Sequence, residues 1–198
     1  DWRGPVVVVS ALGGATDALL RAASEAGDGR VDAALEALRG LRARHHEVAG
    51  VIGASPDRAD VDAFIDGEFD ELDRLVGALG VLKDVTPRWL DAIAAAGEIL
   101  SSRIVAAALT AHGLAATWVD ARKVIVTGDE HTAAPPLMKD TAVALSATVD
   151  PILADRRIPV IGGFVGANRE GVTTTLGRGG SDYSAAIVGA CLGSSEIQ

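Results

Sequence analysis

Two short runs, Val6-Val7-Val8-Val9 and Ile158-Pro159-Val160-Ile161, constrain the fold of this chain more than any other feature. Continuous apolar, β-branched stretches of this kind suit strands covered on both faces, as in a parallel sheet. The first run ends at the glycine turn Ser10-Ala11-Leu12-Gly13-Gly14, and a helix is expected from about Thr16-Asp17, whose side-chain oxygens can cap free N–H groups. Strand, turn and helix in that order open a βα unit.

Between the two runs, residues from about 30 to 112 read as mainly helical. Leu35, Leu38, Leu41, His45 and Val48 fall on one face of a first helix. Ser55-Pro56 and Thr86-Pro87 each give a start signal, a hydroxyl cap followed by proline in the first turn. The helix after Ser55 directs Val61, Phe64, Ile65, Leu72, Leu75, Val76 and Leu79 inward, and its acids from Asp57 to Asp73 read as a solvated face. The helix after Thr86 runs through Trp89, Leu90 and Ile93, breaks at Gly97-Glu98, resumes at Ile99 and stops at Gly113.

The remainder alternates. Thr117–Asp120 and Val124–Val126 read as short strands around a turn at Arg122-Lys123, Asp140–Asp155 as a helix, and Val172–Thr175 as β-prone. Gly177-Arg178-Gly179-Gly180 is a loop feeding a helix from Ser181-Asp182 to about Leu192, and Glu196-Ile197-Gln198 reads as the start of a further strand. The expected fold is α/β: a three-layer sandwich with a mainly parallel sheet flanked by helices and a helical insertion in the first half. The 198 residues suffice for a single lobe with its own core, and the abrupt ends suggest a lobe excised from something longer.

Composition narrows the function classes. A net charge of −9 supplies no basic surface for nucleic-acid phosphates. An anionic small molecule stays open, because a buried arginine or a helix N-terminus can set a local positive potential. No stretch reads as long and apolar enough to span a bilayer, and the opening residues do not read as a signal peptide. The single cysteine, Cys191, permits no internal disulfide and reads as a small core residue.

The strongest chemical signal is Thr173-Thr174-Thr175-Leu176-Gly177-Arg178-Gly179-Gly180-Ser181-Asp182. Glycines there let backbone N–H groups approach a ligand, and the following helix points its positive end the same way. Arg178 offers a planar fork for a carboxylate or phosphate, and Asp182 in the first helical turn suits an ammonium or a catalytic group. A plain glycine turn with a capping Ser181 is the competing reading. No Gly-Lys-Ser/Thr follows, so this is not a Walker-type loop. Ser10 and Thr16 could meet a ligand at the end of the first strand. Glu98, an acid within an apolar helical stretch, calls for a cation, either a substrate ammonium or an internal Arg or Lys. His45, His46, His112 and His131 show no metal-ligand spacing, and no metal site is expected.

Four segments, in order along the chain, resemble the aspartokinases of the amino-acid kinase family. They are Val6–Asp17 (VVVVSALGGATD), Gly97–Ser102 (GEILSS), Gly163–Gly166 (GFVG) and Gly171–Ala186 (GVTTTLGRGGSDYSAA). The last is specific enough to separate aspartokinases from the acetylglutamate, carbamate and uridylate kinases that share the fold. The resemblance implies ATP-dependent phosphorylation of the L-aspartate side-chain carboxylate to 4-phospho-L-aspartate, with ATP and Mg2+, in the cytoplasm, at the head of the pathway to lysine, threonine and methionine. It implies that Thr16, Glu98, Phe164, Arg178, Ser181 and Asp182 hold aspartate, Arg178 on its α-carboxylate and Glu98 and Asp182 on its ammonium. Ser10, Gly13 and Gly14 are expected near the transferred phosphoryl, with Gly179 and Gly180 in the backbone cradle; Ser10 and Asp182 are the residues expected nearest the chemistry.

The resemblance begins after the family's Lys-Phe-Gly-Gly-Thr-Ser strand and ends before its Trp-Thr-Asp segment and nucleotide-binding half. The expectation is therefore a lobe that binds aspartate better than ATP and turns over poorly alone, with the rest supplied by a second copy or a complementing chain. Two other readings remain: a non-catalytic amino-acid-binding or scaffold module, and a kinase of another acyl substrate.

Overall fold

The structure, a computed structural model, describes residues 4–177 and 179–198. It opens with β1 (Val7–Val9), followed by four helices, α1 (Ala15–Gly27), α2 (Val31–Ala49), α3 (Asp57–Leu82) and α4 (Pro87–Ala111). Then come β2 (Ala116–Val119), β3 (Val126–Thr127), α5 (Met138–Ala154), β4 (Ile158–Gly162), β5 (Val165–Asn168), β6 (Thr173–Thr175) and α6 (Gly180–Leu192). The α/β class, the helical insertion and the two buried-strand runs are as the sequence led us to expect.

The strands form two three-stranded sheets, β1-β4-β2 and β3-β5-β6. The first is wholly parallel, with Val7 opposite Val160 and Trp118 also opposite Val160 on the other side. In the second, β5 runs parallel to β3 and antiparallel to β6. β4 is central and almost fully buried, whereas β1 is only half-buried because it pairs on one side alone among the described residues. Both faces of β1 are nevertheless covered, Val8 by one apolar cluster and Val7 and Val9 by another, so what is corrected is the depth of burial.

Helices α1 to α4 share one core in which Leu19, Leu38, Ile65, Phe69, Leu79 and Ile93 are fully buried. Each such side chain contributes roughly 1.5–3 kcal/mol by leaving water. A second core joins α4 to the strands and to α5 and α6 through Ile99, Ile125, Leu145, Ile161 and Ile187. Helix α4 thus belongs to both, and its surroundings explain a second correction. Over an 18-residue window its mean hydropathy is 1.5, so it is long and apolar enough to cross a membrane by composition. Yet 72% of that window is buried inside the protein, so packing on several sides accounts for its lack of a polar face.

α4 also runs unbroken where a break was expected at Gly97-Glu98. Gly97 is there for close approach: a Cβ would sit 2.9 Å from the Ala11 Cβ in the turn after β1. The acids of α3 are not simply solvated. Arg42 pairs with Asp70, Asp73 and Asp66, and His46 lies 2.9 Å from both Asp62 and Asp66, which forms a charged seam between α2 and α3. Val124 and Ile125 are core residues ahead of β3 rather than strand residues, and β5 carries no β-branched run to announce it. Residues 196–198 form no strand; Ile197 instead folds back against Gly189 of α6. Cys191 lies at the margin of the core, not within it, with its Sγ 3.7 Å from the Met138 carbonyl oxygen.

Candidate functional site

A cleft of about 690 Å³ opens where β1, β4 and β6 end, walled along its length by α4. This is the carboxyl end of the parallel strands, the usual crevice of open α/β sheets. Ser10 and Thr16 line one side, Glu98 the floor, and Phe164, Gly179, Gly180, Ser181 and Asp182 the other side. Residues expected from separate motifs are thereby brought together. Gly13 and Gly14 do not line the cleft; they are the exposed residues of the Leu12–Ala15 turn beside it, where Arg44 Nη1 donates to the Gly13 carbonyl at 2.8 Å. Arg178 lies outside the described residues.

Glu98 is 4% exposed, and among the described residues its Oε2 has no hydrogen-bond partner. Burial pushes its carboxyl up to about 7, partly offset by backbone N–H groups of Glu98 and Ala11. A buried carboxyl oxygen without a partner is costly unless something arrives to meet it. Phe164 is held in the left-handed region at φ 62°. Its N–H donates to Ser184 Oγ at 2.8 Å and its carbonyl accepts from Leu176 N at 2.8 Å, which fixes the residue from both sides. Gly180 is needed for that packing, since a Cβ would lie 2.5 Å from the Phe164 ring.

Sequence reasoning missed Asp91 and Thr132 and gave Thr175, within its strongest motif, no role; all three also line the cleft. Asp91 is 1% exposed and sits roughly two helical turns before Glu98 on α4. Its carboxylate accepts from Thr175 Oγ1 at 2.6 Å, from His131 Nδ1 at 2.6 Å and from the Thr132 N–H at 3.0 Å to each oxygen. Thr132 has φ 67°, a left-handed conformation that costs an L residue roughly 1–2 kcal/mol. An acid among Trp89, Leu90 and Ile93 was the available signal, because its spacing from Glu98 repeats the helix period.

Residues 1–198 match the amino acid kinase family. The chain belongs to the amino acid kinase family. Among curated relatives, this amino acid kinase chain is 33% identical over 200 residues to Aspartokinase 1, chloroplastic, of Arabidopsis thaliana, covering 99% of the chain and 34% of the relative. It is 32% identical over 133 residues to Lysine-sensitive aspartokinase 3 of Escherichia coli K12, covering 65% of the chain and 29% of the relative. E. coli aspartokinase III, solved in complex with aspartate and ADP, superposes with a TM-score of 0.84 at 28% identity, covering 97% of this chain and 41% of that one. The chain therefore spans about a third of the length of the Arabidopsis relative.

Proposed function

We propose that this chain supplies the aspartate-binding lobe of an aspartate kinase, which transfers the γ-phosphoryl of ATP to the side-chain carboxylate of L-aspartate. The observation that carries the reading is a buried Glu98 oxygen, without a partner among the described residues, in a cleft that Thr16, Phe164 and Asp182 also line. An ammonium group meets its need for a cation. In this reading Glu98 and Asp182 take the amine, and Thr16, Phe164 and Ser181 shape the pocket. Arg178 is assigned to the α-carboxylate on its motif alone. Ser10 and the Gly13-Gly14 turn border the phosphoryl end, and Gly179 and Gly180 complete the cradle. Kinship with aspartokinases, one of them solved with aspartate and ADP, supports the same reading.

The nucleotide belongs to the reaction as ATP. Among the described residues no group of three or more His, Cys, Asp or Glu could hold a metal. Magnesium is proposed with the nucleotide, because Mg2+ is usually held by substrate phosphates together with one or two carboxylates. The proposal includes a place in amino-acid biosynthesis, that of lysine included, and a cytoplasmic location like that expected of the bacterial relatives. Calorimetric titration tests the proposal: aspartate should bind more tightly than magnesium-ATP. Nucleotide binding of ordinary kinase strength with no heat from aspartate would sink it.

A further inference from the structure

Residues 128–136 form a loop whose base is tied down in ordinary ways. Gly128 N donates to the Pro135 carbonyl at 2.9 Å, and Ala134 N donates to the Thr175 carbonyl at 2.8 Å. The tip, His131 and Thr132, is tied to the body of the protein differently. Its hydrogen bonds there, among the described residues, go to the carboxylate of Asp91, which reaches out from the second turn of α4. At the point of attachment stands a β-branched residue with positive φ, the least suitable side-chain type for that backbone. Strain of this kind persists only where the surroundings over-determine it. Here the hydrogen bonds that hold the residue, among the described residues, run to one carboxylate, itself buried and fixed by Thr175 Oγ1.

Asp91, Thr132 and Thr175 all face the cleft. Both Asp91 oxygens already accept hydrogen bonds from the protein, whereas Glu98 Oε2 has no partner among the described residues. We propose that Asp91 is a positioning residue: by gripping the Thr132 N–H it holds the strained 128–136 loop in place as one wall of the ligand cleft. The inference rests on the reading of that cleft as an aspartate site. Asp91 acts through backbone conformation, without touching the ligand.

The test is aspartate titration of the chain and of three variants, Asp91→Asn, Thr132→Gly and the two combined. Asp91→Asn loses the two-oxygen grip and lets Thr132 relax, so affinity should fall by about tenfold, the counterpart of the strain it no longer holds. Thr132→Gly alone gives the reference affinity for a cleft wall that lacks the threonine side chain. In the double variant, glycine occupies the left-handed region without a grip, and affinity should return most of the way. An Asp91→Asn loss that glycine fails to relieve, or no loss at all, overturns the proposal. Should Asp91→Asn not fold, amide hydrogen exchange in the unaltered chain decides. The Thr132 amide, on an otherwise exposed residue, should exchange slowly, and exchange at the rate of a free amide overturns the grip. If the unaltered chain takes up no aspartate, the functional reading fails instead, and the exchange measurement still judges the clamp.

Discussion

The two ends of the cleft each present a buried acid from the same face of α4, yet the two acids live in opposite circumstances. Asp91 is saturated, with donors from a backbone N–H, a threonine hydroxyl and an imidazole. Glu98 keeps one oxygen without a partner among the described residues, and burial raises its carboxyl to about 7. The difference teaches how to sort buried acids by what they lack. An acid whose capacity is filled by its own chain builds the wall of a site. An acid with an unmet oxygen waits for something from outside.

The contrast can be broken most decisively at Glu98. Glu98→Gln keeps the size and removes the charge that would meet an ammonium, so aspartate binding should weaken by roughly 30-fold or more, from about 2–5 kcal/mol for a desolvated charge pair. Succinate, which has no amine, should bind the parent chain poorly and lose far less on the same substitution. Equal losses for both ligands, measured by calorimetry with the fold intact, would show that Glu98 does not read the amine.

Next in size is the pH dependence of stability. Below the ordinary value of 4.5 the Glu98 carboxyl is protonated both folded and unfolded, and it imposes no penalty. As pH rises towards about 7 the unfolded chain ionises while the folded one keeps its proton, so stability declines over that window. The loss is about 3 kcal/mol once complete. Denaturant titrations across this range should show it, and Glu98→Gln should flatten the decline and stabilise the unliganded chain at neutral pH. Asp91→Asn should destabilise it. Matching signs for the two substitutions would erase the distinction between the two acids. Aspartate, by favouring the ionised carboxylate, should also release a proton on binding near pH 6, visible as a buffer-dependent heat.

The smallest effect lies away from the cleft, in the seam between α2 and α3. Partial burial opposes the charged form of His46, but hydrogen bonds to Asp66 and Asp62 outweigh it and raise its pKa above 6.5. Stability from this pair is fully present below 6.5 and fades as pH rises through the higher folded value. Partners at a wet surface limit it to about 0.5–1 kcal/mol. His46→Gln should remove that component in the same titrations and leave aspartate affinity alone. A change in affinity would mean that the seam and the cleft are coupled.

Much of this was legible before any coordinates. Val6–Val9 and Ile158–Ile161 announced two strands, proline after a hydroxyl announced α3 and α4, and Glu98 stood out as an acid in apolar company. What escaped notice depends on distant partners. Asp91 looks like any early-helix acid until Thr132 and Thr175 arrive from other parts of the chain. The break expected at Gly97 came from treating glycine as a local helix breaker, when its reason is the neighbouring turn at Ala11. β5 was missed because Gly166 and Asn168 weaken its local pattern, and its strand character comes from pairing with β3 and β6.

α4 sets a fixed scale for the site. An α-helix rises about 1.5 Å per residue, so Asp91 and Glu98 stand about 10 Å apart along a stiff rod. That rod is wedged among β1, β2, β4 and β6 on one side and α1 and α3 on the other. Neither acid can slide towards a shorter ligand or away from a longer one. The yardstick is rigid, and whatever adjustment the cleft makes to its occupant must come from the loops that face it.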